Sequence, residues 1–225
     1  MAEFTIRDVE GMRQLRIDIR DEAVRSVRGA LSHMQGDIRM TAPIPGPSAL
    51  MRSWISHEAA IRPRYRGAGS IFLEPTLRGY HVFEARALRW ILEPGVFWAC
   101  EGDVRLGLRL ERPFPSLWAG DGLINYTTTV TGDGLVAINA PGPVEEIDLQ
   151  DEEIVAQGRL VLARTAGLRY SVRRPAGFIQ SRIAGEPLTR CYRGTGKALV
   201  CWTPYWNQYM HDMFVEDRAP TSLFE

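Results

Sequence analysis

Lysine is almost missing from this chain: of its 27 basic residues only Lys197 is lysine, and the rest are arginine. Such a bias reflects GC-rich coding and says nothing about binding. Net charge is missing too, because 27 acidic residues balance the basic ones. Nucleic-acid binders usually carry a basic excess or a basic face, so neutrality disfavours nucleic acid as a partner. Cysteine is scarce. Cys100, Cys191 and Cys201 cannot all pair with one another, form no C-x-x-C, and have no histidine at metal-ligand spacing. Packed, reduced thiols of a cytoplasmic protein are expected. No stretch approaches the ~18–20 apolar residues of a membrane helix. The most apolar segment, ALRWILEPGVFWAC, is broken by Glu93, Pro94 and Gly95. The first residues, MAEFTIRDVEGMRQLRIDIRDE, are charged throughout and lack the apolar stretch of a signal peptide.

Catalytic signatures are sparse as well. His33, His57, His81 and His211 stand singly, whereas metal chemistry needs clustered ligands; adjacent residues such as His57 and Glu58 face opposite ways on a strand. Glycine pairs recur at 67/69, 132/134 and 194/196, but each precedes an apolar strand, not a helix, and no third glycine completes a phosphate loop. There is no G-x-S-x-G elbow; Gly69-Ser70 is its nearest imitation. Asp121 and Glu186 recur at matching positions, which suits turn capping better than an asymmetric active site. The reading therefore assigns no catalytic residue, cofactor or metal, and expects a protein that is not an enzyme.

What is present is alternation. Apolar residues fall at 104, 106, 108 and 110 against Arg105 and Arg109, and Leu168, Tyr170 and Val172 alternate with Arg169, Ser171 and Arg173. Both are half-buried strands with one wet face. Turn signals come at a regular short interval: EPG at 93–95, EGD at 101–103, TGDG at 131–134, APGP at 140–143 and AGEP at 184–187. Helix signals are few: a turn or two over 21–30 and a short helix over 204–215.

The three glycine pairs follow one another at a nearly constant step, and Gly29, Gly95 and Gly158, each opening an apolar strand, keep almost the same step. QGD at 35–37 and EGD at 101–103 fill one turn slot, and AGDGL at 119–123 matches AGEPL at 184–188, with Ser56-His57-Glu58 as the eroded first copy. The fold expected is a single all-β domain, residues 1–225, with internal repeats over 20–75, 85–140 and 150–205 and a tail over 206–225. Antiparallel β-sandwich units would share a core around a pseudo-threefold axis.

The order Gly–apolar strand–GD turn, A-G-[DE]-x-L, G-x-G–apolar strand, then P-G resembles the family named for altered inheritance of mitochondria protein 24. AGDGLINYTTTVTGDGLVAINAPGPVEEIDL (119–149) and AGEPLTRCYRGTGKALV (184–200) carry the likeness. The resemblance implies a three-repeat β fold similar to the sandwich units of the tryptophan RNA-binding attenuator protein. It also implies a eukaryotic relative at the mitochondrial inner membrane, linked to organelle organisation, and no catalytic residues.

Two clusters remain as candidate binding surfaces. Arg62, Arg64 and Arg66 with Tyr65 would hold phosphates and stack a base, or simply form a solvated strand face. Trp202, Tyr205, Trp206 and Tyr209 would cap the β core or meet a partner. The favoured function is a cytoplasmic, non-enzymatic interaction or scaffold protein whose partner is another protein or a second copy. An RNA- or small-ligand-binding protein and a metal-dependent β-sandwich enzyme are the alternatives.

Overall fold

Alternating apolar and polar side chains put one face of each segment in the core, and antiparallel ladders then satisfy the backbone. The structure, a computed structural model, describes residues 2–42, 62–76, 79–110, 126–156, 159–173 and 189–203. Among these there is no helix. The strands are β1 (Glu3–Val9), β2 (Met12–Ser26), β3 (Leu31–Thr41), β4 (Arg64–Leu73), β5 (Gly79–Glu84), β6 (Trp90–Leu92) and β7 (Phe97–Glu101). They continue as β8 (Arg105–Leu110), β9 (Tyr126–Thr131), β10 (Leu135–Ala140), β11 (Val144–Ala156), β12 (Val161–Thr165), β13 (Leu168–Arg173) and β14 (Thr189–Cys201).

Two antiparallel sheets result. One runs β3-β4-β2-β7-β10-β5 with β1 added to β2; the other runs β11-β14-β12-β6-β9-β8 with β13 added to β14. Distant parts of the chain are joined by two short ladders. Val24, Arg25 and Ser26 of β2 pair with Glu101, Cys100 and Ala99 of β7. Trp90, Ile91 and Leu92 of β6 pair with Thr165, Arg164 and Ala163 of β12.

Among the described residues the buried apolar side chains form three clusters. The first centres on Leu15, Ile17, Tyr65 and Ile71, the second on Phe83, Trp90, Phe97 and Val136, and the third on Leu168, Tyr192, Ala198 and Val200. Trp90 is almost fully buried, and its indole N–H donates to the Ala85 carbonyl at 3.2 Å. Burying an apolar side chain of this class is worth about 3 kcal/mol.

Residues 21–30 do not form a helix. β2 runs through Ser26, with Asp21 at φ 70° and a register shift between Arg20 and Ala23. Val24 and Ser26 are buried on one side, a two-residue period that a helix cannot satisfy. QGD at 35–37 is not a turn either, since it lies inside β3, whereas EGD at 101–103 does separate β7 from β8. Cys100, Cys191 and Cys201 are free and buried. The segments singled out over 56–58, 119–123, 184–188 and 204–215, and Gly158, lie outside the described residues.

The paired glycines stand where another strand or turn comes close, meeting backbone at Gly67, Gly69, Gly132 and Gly194 and side chains at Gly134 and Gly196. All six have positive φ, from 99° at Gly132 to 156° at Gly196. A Cβ on Gly67 would stand 2.0 Å from the Asp37 carbonyl oxygen, and one on Gly69 would stand 2.1 Å from that of Gln35. Close strand crossing, and not phosphate binding, explains them.

Candidate interaction surface

Two open clefts mark the first sheet. One, of about 720 Å3, lies over β2 and β4 and is lined by Glu3, Arg16, Asp18, Arg20, Glu22 and Ser70. Its polar groups engage one another: Arg16 is 2.9 Å from the Asp18 carboxylate, and the Ser70 hydroxyl donates to that same carboxylate. The other, of about 580 Å3, sets Asp21, Glu84, Asp103 and Asp133 near Arg64 and Arg66. Glu101 also lines it, but both its oxygens are committed to backbone amides, of Ala2 at 2.8 Å and Leu135 at 2.7 Å. Among the described residues no group of three His, Cys, Asp or Glu side chains converges to hold a metal.

The basic cluster separates. Tyr65 is 1% exposed and belongs to the first core cluster, so it has no face to offer a base. Arg62 lies 4.9 Å from the Phe97 ring centre and donates to the Thr128 hydroxyl at 3.2 Å. Arg64 and Arg66 remain on the solvent side of β4. Tyr-Arg-Gly-x-Gly occurs at 65–69 and again at 192–196, and the second copy divides in the same way: Tyr192 is also buried and Arg193 exposed.

Trp202 is 55% exposed and its indole N–H donates to Glu145 at 2.7 Å. Tyr205, Trp206, Tyr209, His57, His211, Asp121 and Glu186 lie outside the described residues. His33 stacks on Phe72 at 4.3 Å. His81 packs near Phe83, and burial holds its pKa below the ordinary value against the opposing pull of Glu146.

The longest unpartnered features are two strand edges. Among the described residues β3 pairs only with β4, and β11 only with β14. Both strands are largely exposed, and Met34, Met40 and Val155 present apolar side chains there at 41%, 48% and 45% exposure. A strand edge carries a row of unpaired backbone donors and acceptors, which makes it a template for a further strand.

A family profile described as Mitochondrial biogenesis AIM24 matches residues 4–201. The chain belongs to that family. A Streptococcus pyogenes serotype M6 protein, described only as uncharacterized, is 26% identical to this AIM24-family chain over 155 residues. The match covers 68% of this chain and 62% of that relative's length. The X-ray crystal structure of protein SPYM3_0169 from Streptococcus pyogenes superposes with a TM-score of 0.71 at 21% identity. It covers 96% of the AIM24-family chain and all of the other, a likeness of fold.

The AIM24-family chain also buries charge that its sequence does not advertise. Arg190 of β14 reaches Glu93, which follows β6, at 3.0 Å, with their side chains 6% and 15% exposed. Arg164 donates to the Leu168 carbonyl at 3.2 Å and lies over Tyr170. Beside them Tyr192 is fully buried, and its hydroxyl has no hydrogen-bond partner among the described residues. Burial pushes its pKa up, and the nearby Glu93 carboxylate pushes it further. Burial likewise pushes the Cys100 thiol up to about 12.

Both groups keep their protons in the folded state at pH values where the unfolded chain loses them. Stability is therefore full below about pH 9 and falls as pH rises above the ordinary thiol and phenol values. Tyr192→Phe is expected to leave stability at pH 7 unchanged or slightly raised, because no partner is lost. It should also flatten the decline above about pH 10. Urea unfolding midpoints across pH 7–11 provide the check; an unchanged alkaline slope would count against this account of Tyr192.

Proposed function

We propose that this chain is a non-enzymatic interaction or scaffold module, acting in the cytoplasm as one domain built from three degenerate β modules. The observation that carries the reading is the pair of long edges, β3 and β11, that have no second strand partner among the described residues, with exposed apolar side chains on both. In the first cleft Arg16, Asp18 and Ser70 engage one another, and in the second Glu101 holds two backbone amides. The family's description, Mitochondrial biogenesis AIM24, suits a part in organising larger assemblies.

Three recurring irregularities support the modular reading. Of the non-glycine residues with positive φ, Asp21, Arg86 and Asp151 stand at equal intervals along the chain, while Glu10 and Ala87 do not follow that step. The positive-φ glycine pairs recur at 67/69, 132/134 and 194/196. Ladder register skips one residue at Ser32, at Trp98 and at Leu162. Chance placement of one bulge is easy, but three classes of backbone irregularity in the same step indicate one unit used three times.

The native size of the protein tests the proposal. In gently prepared extracts of its own cells it is expected to migrate well above its 25.3 kDa monomer mass. Migration as a monomer in the extract, together with turnover of a small molecule by the purified chain, would overturn it.

A further inference from the structure

The two internal ladders define a rule for how one module meets the next, and among the described residues that rule leaves one edge at each end unsatisfied. This inference rests on the three-module reading and names the partner of the edges described above. Pairing register, independent of any alignment, fixes the equivalences. Val24 lies opposite Tyr65, Trp90 opposite Val130 and Ile154 opposite Tyr192, each just ahead of a glycine pair by the same offset. Residues 154–156 therefore stand in the third module where 24–26 stand in the first and 90–92 in the second.

The receiving segments align equally well. Counting from the glycine pairs, Ile71, Val136 and Ala198 are equivalent, and they face Met34, Cys100 and Arg164. Residues 33–35 thus match 99–101 of β7 and 163–165 of β12, which receive the two ladders. The third ladder would set Ile154 against Gln35, Val155 against Met34 and Ala156 against His33. A threefold closure within one chain would form it in cis, yet among the described residues neither strand pairs that way.

Burial marks the same two residues. Cys100 and Arg164, the equivalents of Met34, are 0% and 5% exposed, while Met34 is 41% exposed. Ile91, the equivalent of Val155, is 3% exposed, against 45% for Val155. Charge marks them as well. β11 reads VEEIDLQDEEIVA and carries six carboxylates, but none over 154–156. The segment LSHMQ at the start of β3 holds no acidic or basic residue besides His33. Charges are a usual guard against edge-to-edge pairing, and here they stop where the ladder would begin.

The cores agree. Each of the first two clusters borrows from the next module: Ala99 and Ala137 enter the first, and Leu162, Ala163 and Leu199 enter the second. Among the described residues the third borrows from none. The half-sheet of β3, β4, β2 and β1 supplies what the third module lacks, and Phe72 with His33 stacked on it lies at the borrowing position.

We infer that a second copy of this chain docks here: residues 154–156 of one copy add antiparallel to residues 33–35 of the next, with Val155 opposite Met34. The contact is head to tail, so it generates a ring if the rotation closes and a filament if it does not.

Light scattering after size exclusion, on the purified full chain, tests this. Wild type should show multiples of the monomer mass. Val155→Glu and Met34→Arg should each raise the dissociation constant about 30-fold or more, as a charge buried without a partner does at an interface. Melting of the separated subunits should be unchanged. Combining Met34→Arg with Val155→Glu should restore assembly, which a merely misfolded variant cannot do. Met34→Cys with Val155→Cys should give disulfide-linked multiples on oxidation, the native thiols being buried. A disulfide formed only within one chain would place the ladder in cis and overturn the second copy, leaving three modules intact. Assemblies indifferent to all these substitutions would overturn the surface. A monomeric purified chain that migrates as a complex in extract would overturn self-association and leave the scaffold reading standing.

Discussion

Gly67→Ala is expected to lose about 3 kcal/mol of stability, or roughly 10 °C in melting temperature for a chain of this length. Two costs add at this position. Its φ of 139° is one that L residues rarely adopt, and the new Cβ would stand 2.0 Å from the Asp37 carbonyl oxygen and 3.0 Å from the Ile38 Cα. Those neighbours are backbone, so no side chain can swing aside; β3 must move away from β4, breaking ladder bonds between Gln35 and Arg39. Gly29 supplies the control. Its φ is 81°, but nothing lies within 4 Å of a Cβ there, so Gly29→Ala bears only backbone strain of about 1 kcal/mol. Thermal unfolding of the two variants side by side isolates the close approach. Equal losses would show that crossing geometry is not what the glycine pair serves.

Arg190→Met is expected to cost about 3–5 kcal/mol, because it leaves the Glu93 carboxylate in a nearly dry site without its guanidinium. The pair joins β14 to the residue after β6, so its loss also loosens the tie between these two parts of the sheet. The companion experiment is the double substitution Glu93→Leu with Arg190→Met, which removes both charges and fills the space with apolar volume. It is expected to recover most of the loss, since a buried ion pair gains little over well-packed hydrophobic side chains. Chemical denaturation measures both; a double variant as unstable as the single would mean that shape, not charge, governs the site.

The strands could be read from the sequence wherever one face is wet. Leu168, Tyr170 and Val172 turn inward against exposed Arg169, Ser171 and Arg173, as period-two patterning requires. The glycine step was visible for a related reason: only glycine tolerates these crossings, so the residue type itself is dictated. Other features leave no such trace. A skipped residue at Ser32, Trp98 or Leu162 can be polar, aromatic or aliphatic, because a bulge constrains backbone and not side chain. The helix expected over 21–30 failed because Arg25 and Glu22 are good helix formers, while β4 and β7 supply ladder partners that outweigh propensity. The division of Tyr65 from Arg66 was hidden too: a Tyr-Arg dipeptide suggests a binding patch until the pleat sends the two residues to opposite faces. The Glu93–Arg190 pair joins residues far apart in the chain, and no local pattern announces it.

The two internal ladders also govern how the chain folds as it is made. Val24 waits for Glu101 and Trp90 waits for Thr165, each partner lying more than 70 residues further along. At about 5–20 residues per second of synthesis, β2 and β6 each spend several seconds with an open flank before these partners emerge. Non-local strand pairing of this kind is slow even in a finished chain. The hairpin of β1 and β2, joined by Glu10 and Gly11, can form at once, but the flank of β2 toward β7 stays bare through that interval. β2 is thus a part of the nascent chain exposed to misassembly, and its pairing is timed by the translation of β7.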